Sequence, residues 1–209
     1  MKALNKYGFF NIEKIVQIFF YIQKYSNTVS KLELIKLLFF ADRIHIRKHF
    51  SFISLDNYVA LKYGPVASNS LDVLNKQKEF FSNFPASELL FLDNIKKINQ
   101  SKRIIKQVSN DLLSKNEMAS IDKAIELFSG KKLVEISHDY PEWKRYKELF
   151  EMQLISRHPV VIDDFFRNPD TNDSPAIQKY FGADPLYEDD EYLQEAKAFF
   201  LQSIGQNVL

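Results

Sequence analysis

The sequence predicts a mainly α-helical protein of the α+β class. We expect a compact multi-helix domain with a small β-hairpin or short extended segments, followed by an acidic helical C-terminal extension. Three observations lead to this prediction: apolar residues recur at helical spacing, two Ser-x-x-Glu capping boxes mark helix starts, and one short stretch has a strand-like composition. With 209 residues, 45% of them hydrophobic, the chain can bury a core without cross-links, and it contains no cysteine.

The first two helices are predicted from their apolar periodicity. Residues 11–26 place isoleucine, valine and phenylalanine on one face and polar residues opposite. Ser30 and Glu33 form a capping box at the start of the second helix. The stretch that follows, LELIKLLFFADRIHIRKHF, is apolar around most of its circumference. We therefore expect this second helix to be central and buried on several sides.

The middle of the chain contains the short strand-like stretch. Residues 58–63 are aromatic and β-branched, which predicts an extended segment. Gly64 and Pro65 follow, and we expect them to form a stiff reversal, because proline fixes its own φ and glycine tolerates positive φ. Ser68 is expected to cap the next helix. Residues 89–109 are consistent with a β-hairpin or with one continuous helix.

Helix signals continue to about residue 150. Ser114 and Glu117 form the second capping box, and Gly130 has the position that commonly ends a helix. A short helix over 132–138 is predicted next, and Pro141 is expected to open the segment PEWKRYKELF as another helix.

The composition changes after about residue 155, where prolines and glycines separate short apolar pieces. We expect a helix that begins at Pro175 and ends at Gly182, and a last amphipathic helix over 189–204. The predicted organisation is a helical domain over 1–150 and an acidic extension with one or two helices over 151–209.

The net charge of +1 hides an uneven distribution. Residues 1–110 carry 17 basic and 8 acidic residues, a net +9, whereas 111–209 carry 11 and 19, a net −8. Ten acids lie in 163–195 against two basic residues: Asp163, Asp164, Asp170, Asp173, Asp184, Glu188, Asp189, Asp190, Glu191 and Glu195. Either the acidic segment lies against the chain's own basic half, or it binds a basic partner surface.

One pattern suggests a metal site. Asp42, His45 and His49 stand at i, i+3 and i+7, so a helix would place them along one face, and a metal-dependent hydrolase is a minor alternative. No HExxH motif accompanies them. The simpler interpretation pairs Asp42 with Arg43, Arg47 or an amide distant in sequence. With no phosphate-binding loop or nucleophile motif in the sequence, we predict no catalytic residue, metal or cofactor.

A basic cluster makes nucleic-acid binding a second alternative. Its members lie near the tip of the hairpin considered for 89–109: Lys96, Lys97, Lys102, Arg103 and Lys106. Such a loop could contact phosphates, as expected of a DNA-binding transcriptional regulator that uses residues 96–106. A solvated charged loop is the simpler interpretation.

The N-terminal stretch gives an expectation about location. Its apolar residues are interrupted by Glu13, Lys14 and Gln17, so neither a signal peptide nor a membrane span is predicted. Together with the absence of cysteine, this predicts a soluble cytoplasmic protein with no membrane partner.

Three blocks of the sequence resemble one known family. These are KLELIKLLFFADRIHIRKH (31–49), YVALKYGPVASNSLDVL (58–74) and LSKNEMASIDKAIELFSGKKLVEISHDYPEWKRY (113–146). They are similar to the Panacea domain, also called the SocA-like antitoxin or phage-associated GepA-type domain, over residues 28–147. The matching motifs are LLFFAD at 37–42, YGPV at 63–66, and ISH at 136–138 with Pro141 and Trp143.

The resemblance implies a non-enzymatic antitoxin that binds and neutralises a toxin protein encoded by a neighbouring gene. The toxin could be one that blocks translation. The assembled form would be a hetero-oligomer with the toxin or a homo-oligomer. We expect a preformed groove in the helical domain to bind the toxin, with the acidic segment covering a basic toxin surface.

Two sets of residues carry these expectations. Partner-binding residues are predicted among the large amphipathic rings and the acids: Tyr63, Trp143, Asp163, Asp164, Asp189, Asp190 and Glu191. A place in the core is the alternative for Trp143. Structural roles are predicted for the motif residues Asp42, Gly64, Pro65 and His138, with a buried polar pair between Asp42 and His138.

Overall fold

The computed structural model describes residues 3–5, 8–26, 30–75 and 109–206. The predictions for 89–109 and for the basic cluster at 96–106 therefore fall almost entirely outside the described residues. The N-terminal part consists of an antiparallel hairpin and two long helices: β1 (Ala3–Asn5), β2 (Gly8–Phe10), α1 (Ile12–Tyr25) and α2 (Lys31–His49). The Asn11 side chain caps α1, and the Ser30 hydroxyl accepts the Glu33 amide at the start of α2.

Helix α2 is the centre of the fold. Every residue from Leu34 to Arg47 is buried, because α2 is contacted by other elements around its whole circumference. This confirms the prediction of a central helix. It also places four charged residues of α2 inside the protein: Lys36, Asp42, Arg43 and Arg47. Each of them must find polar partners there, since an uncompensated buried charge is costly.

A three-stranded antiparallel sheet lies beside α2. Its strands are β3 (Tyr58–Leu61), β4 (Gly64–Ala67) and β5 (Arg157–Pro159), in the order β4-β3-β5. The extended segment predicted at 58–63 is thus β3 and the turn that follows. The reversal itself lies two residues earlier than predicted, at Lys62 and Tyr63, because Leu61 pairs with Gly64. Gly64 and Pro65 belong to the return strand, where proline is tolerated because β4 is an edge strand.

Helix α3 (Ser68–Asn75) follows directly from β4. Ser68 does not act as its cap, as predicted, because it is already helical and its hydroxyl accepts a hydrogen bond from Arg157. The buried carboxylate of Asp56 replaces it, accepting the backbone amides of Asn69 and Ser70 at 3.1 and 2.7 Å. The helix start is therefore held by a residue that precedes the hairpin.

The second capping box is present in full. Ser114 and Glu117 satisfy each other's backbone amides at the start of α4 (Lys115–Phe128), and Gly130, at φ +74°, follows its C-cap. The next helices are short: α5 (Leu133–Asp139), α6 (Pro141–Lys144) and α7 (Lys147–Glu151). The segment PEWKRYKELF thus forms two helices rather than the predicted single one.

The C-terminal part packs on the same core as the rest. It contains two 3₁₀ helices, Ile162–Phe166 and Thr171–Asp173, then α8 (Pro175–Phe181) and α9 (Asp190–Gln206). Its buried apolar residues join the core around α2, and β5 pairs with β3. Helices α8 and α9 confirm the prediction of helices in this region.

The fold class is confirmed: the protein is mainly helical with a small antiparallel sheet. In the described ranges, no helix combines the length and the apolar character needed to span a bilayer.

Candidate partner-binding site

The only tryptophan of the chain lies at a junction of three helices and the sheet. Trp143 of α6 stacks on His138 of α5, with centroids 3.5 Å apart and planes within 2°. On α7, Phe150 is parallel to the same indole ring at 5.9 Å. The indole Nε1 donates to the carbonyl of Leu61 at 2.9 Å, which ties α6 to β3. Pro141 at the first position of α6 allows this sharp change of direction between α5 and α6.

The start of β4 packs under this junction. Gly64 has φ +104°, and a Cβ at this position would lie 2.3 Å from Lys36 Nζ and 2.5 Å from Ser137 Oγ. Lys36 is fully buried and donates from Nζ to the carbonyl of Pro65 at 2.9 Å. Burial lowers the pKa of Lys36 well below its usual value of 10.5. Gly64 is therefore required by close packing, which supports the structural role predicted for the YGPV motif.

Two open grooves meet at the junction, and His138, Trp143 and Glu151 line both of them. The larger groove has a volume of about 880 Å³, and its other walls come from Lys62, Phe150, Gln153, Leu154, Ile155 and Ser156. We call it the apolar groove. The smaller one, the polar groove, has a volume of about 460 Å³ and is lined mainly by charged side chains of α5, α6, α7 and α8.

Large apolar side chains in the wall of the apolar groove, or next in sequence to its wall residues, are exposed to water. Leu154 in its wall and Met152 beside it are each 66% exposed, and Tyr63 at the tip of the β3–β4 turn, next to Lys62, is 60% exposed. Neighbouring exposed apolar side chains at the edge of a concave surface are characteristic of protein-binding sites.

His138 is a neutral part of the shared wall. Burial lowers its pKa to about 4, and the positive charges of Lys36 and Lys147 act in the same direction. Its Nε2 atom is buried and has no hydrogen-bond partner among the described residues. At neutral pH the ring therefore supports the indole by stacking and carries no charge.

The predicted pair between Asp42 and His138 is wrong. Both carboxylate oxygens of Asp42 are used by the loop after α2, where they accept the amide of Ile53 at 2.6 Å and the hydroxyls of Ser54 and Tyr58 at 2.5 and 2.7 Å. The simpler interpretation, an amide distant in sequence, is the one observed. Burial still raises the pKa of Asp42, although these hydrogen bonds act in the opposite direction.

The structure also does not form the suggested metal site. The carboxylate of Asp42 faces the 53–58 loop, whereas His45 Nδ1 lies 3.1 Å from the Ser120 hydroxyl on α4. His45 and His49 do stack on each other, with centroids 4.6 Å apart. Within the described ranges, no cluster of three or more metal-ligating side chains is present.

The predicted partner-binding residues lie in different environments. Tyr63 is exposed, whereas Trp143 is only 6% exposed and belongs to the core as well as to the groove wall. Asp164 is fully buried, where Arg145 binds both of its oxygens at 2.6 and 2.7 Å, so it is not available on the surface as predicted.

The other predicted acids are more accessible. Asp163 is half-buried and pairs with Lys197 at 2.9 Å. Asp189, Asp190 and Glu191 are exposed at the start of α9, where the Asp189 side chain also accepts the Glu191 amide at 2.9 Å. Only these three of the predicted acids form an exposed group.

Two arginines of α2 have a role that the sequence reasoning missed. Arg47 donates to the carbonyls of Phe165, Arg167 and Leu186 at 2.7, 2.7 and 2.8 Å. One turn earlier, Arg43 pairs with buried Glu142 and also donates to the carbonyls of Asp164 and Arg167. We call Arg43 and Arg47 the arginine clamp, since they fasten the C-terminal part to α2. Their i, i+4 spacing within the stretch predicted to be buried on several sides was the available signal.

Comparison with known protein families finds a match. The family profile described as antitoxin SocA-like, Panacea domain, matches residues 34–144, just over half of the chain. The match begins in α2 and ends in α6, so it includes the β3–β4 hairpin, His138 and Trp143. Neither a curated protein nor a solved structure matches the chain. Because the family profile covers more than half of the sequence, the chain belongs to the SocA-like antitoxin, Panacea domain family.

Proposed function

We propose that this protein is the antitoxin of a toxin–antitoxin pair and neutralises its toxin, the product of a neighbouring gene, by direct contact. Membership of an antitoxin family supports the role. The single observation that supports direct contact is the apolar groove with exposed Met152 and Leu154 beside it. A protein partner is the natural ligand of such a surface, because burying these side chains releases apolar area from water.

Contacts within the chain would keep the groove formed in the free protein. Its wall is held by the stack of His138 and Trp143 and by the bond from Trp143 to Leu61. A rigid wall loses little conformational entropy when a partner binds, which favours affinity. Trp143 would act as a buried anchor of the wall, and Tyr63 and Leu154 would make the outer contacts.

A second contact is proposed at the start of α9. Asp189, Asp190 and Glu191 are exposed there, and they would bind a basic surface of the toxin. Asp164 takes no part in this contact because it is buried against Arg145. Asp163 contributes less, since Lys197 already neutralises it.

The test is co-expression with the product of the neighbouring gene, scoring growth rescue and co-purification together. Wild-type protein should rescue growth and form a stable complex. Leu154→Asp should abolish both by placing a charge in the apolar contact, whereas Leu201→Asp, an exposed leucine on α9, serves as the matched control. Failure of the folded wild-type protein to rescue or to bind would overturn the proposed function.

A further inference from the structure

Most charged side chains around the two grooves already have partners within the described part of the chain. Lys144 pairs with Asp173 at 2.8 Å, and Lys147 lies 3.9 Å from Glu151. Glu135 pairs with Lys132 at 3.0 Å. The buried carboxylate of Asp139 accepts the first amides of α8, those of Ala176 and Ile177. The charges of these side chains are therefore already paired or hydrogen-bonded within the protein.

Two lysines in the grooves differ from Lys144 and Lys147 because they have no acidic partner among the described residues. Lys62 lines the apolar groove and Lys179 lines the polar groove, and both are exposed. Neither makes an ion pair with any residue in the described ranges; each lies over the ring of the tyrosine that follows it, at 5.7 Å for Lys62 and 5.2 Å for Lys179. His138 and Trp143 line both grooves, and each groove also contains one of these two lysines.

We propose that the shared wall binds an apolar segment of the toxin that carries an acidic residue on each flank. The apolar residues would pack beside Trp143, Phe150 and Leu154, and the carboxylates would bind Lys62 and Lys179. This inference rests on the proposed function and specifies the chemistry of the contact. Charge complementarity around an apolar centre selects the partner and its orientation, because a segment with basic flanks would be repelled from both ends.

The experiment uses the full chain and the toxin encoded by the neighbouring gene. Lys62→Glu/Lys179→Glu is compared with Lys24→Glu/Lys48→Glu, which makes the same change in net charge at exposed positions outside both grooves. Affinity is measured at low and at high salt. Since Trp143 is the only tryptophan, fluorotryptophan incorporation gives one fluorine resonance that reports contact at the wall.

The groove variant should bind the toxin about tenfold more weakly at low salt and lose the part of the salt dependence that comes from the two lysines, whereas the control pair should stay within about twofold. The Trp143 resonance should shift when wild-type protein binds the toxin. Two outcomes would overturn the inference and leave the antitoxin role intact. In the first, the complex forms normally but the Trp143 resonance does not shift. In the second, the Lys62→Glu/Lys179→Glu variant binds the toxin as tightly as wild-type protein does. Absence of any complex with wild-type protein would overturn the proposed function, and the inference with it.

Discussion

At the scale of single residues, the tightest contact beneath the grooves is the one between Gly64 and the buried Lys36. Gly64 leaves room for Lys36 Nζ, which has the carbonyl of Pro65 as its acceptor. The backbone of Gly64 is also in the left-handed region of φ, which side chains rarely adopt. Glycine is therefore favoured at position 64 for two reasons: the backbone has a positive φ, and a Cβ atom would overlap Lys36 and Ser137.

Gly64→Ala should lower the free energy of unfolding by about 3 kcal/mol, because strain at positive φ adds to the overlap with Lys36 and Ser137. The matched control is Gly130→Ala, where φ is +74° and no atom lies within 4 Å of the new Cβ. That variant should lose only about 1 kcal/mol. Urea denaturation measures both values, and equal losses would show that the close approach at Gly64 has no energetic weight.

Lys36 makes stability depend on pH in the alkaline range. Its pKa is lowered in the folded protein, so the unfolded chain binds a proton there that the folded chain releases. The free energy of unfolding therefore rises with pH between the lowered pKa and 10.5. The stability that Lys36 contributes reaches its full size only when the pH exceeds 10.5, the pKa of this lysine in the unfolded chain.

In Lys36→Met this contribution is removed. As the pH rises from the lowered pKa of Lys36 toward 10.5, wild-type protein should gain stability relative to the variant. Denaturation at several pH values gives the slope of the unfolding free energy against pH for wild-type protein and for Lys36→Met. The control is Lys48→Met, which replaces an exposed lysine in the last turn of the same helix. Parallel curves for wild type and Lys36→Met would contradict the predicted release of a proton.

At the scale of elements, the arginine clamp explains how α2 holds the C-terminal part. Five of its hydrogen bonds go to main-chain carbonyls of the C-terminal part, those of Asp164, Phe165, Arg167 and Leu186. Arg47 keeps its charge at neutral pH, although burial lowers its pKa to about 9. The partner Glu142 has its pKa raised to about 7 by burial, with Arg43 acting against this rise.

Arg43→Ala should destabilise the protein by about 3–5 kcal/mol, because it leaves the carboxylate of Glu142 buried without its cation. Lys48→Ala, at an exposed position of the same helix, should have little effect. Replacing both partners, as Arg43→Met/Glu142→Met, should recover part of the loss. A double variant that is no more stable than Arg43→Ala would argue against the ion pair as the source of the effect.

At the scale of the whole molecule, the family match ends at residue 144 but the core does not. Phe165, Phe166 and Phe200 are each 1–2% exposed and pack with residues of the matched region. Strand β5 also completes the sheet. The C-terminal part therefore contributes to folding, independently of any contact it makes with a toxin.

Deleting residues 160–209 should abolish cooperative unfolding, because the deletion exposes the core and removes every carbonyl acceptor of the arginine clamp. Thermal denaturation followed by circular dichroism tests this. A cooperative transition in the deleted chain would contradict it. The triple substitution Asp189→Asn/Asp190→Asn/Glu191→Gln, which changes only exposed side chains, should keep the transition and is the better way to test the acidic contact.

Features that depend on neighbours in sequence were determined by the sequence alone. The capping boxes at Ser30 and Ser114, the ends of helices at Gly130 and Gly182, and the central helix α2 follow from short-range hydrogen bonds and apolar periodicity. The three family motifs could likewise be found in the sequence before the profile match confirmed them.

Only the tertiary structure decided which partners the buried polar groups find. Arg47 binds carbonyls 118 to 139 positions away, Asp42 binds a loop rather than His138, and Asp164 turns inward to Arg145 although its neighbour Asp163 is half-exposed. The apolar groove likewise arises from residues of β3–β4, α5, α6 and α7 that meet only in the fold. The physical reason is that such contacts depend on which elements pack together, and residue spacing predicts which face of a helix is buried but not which element covers it.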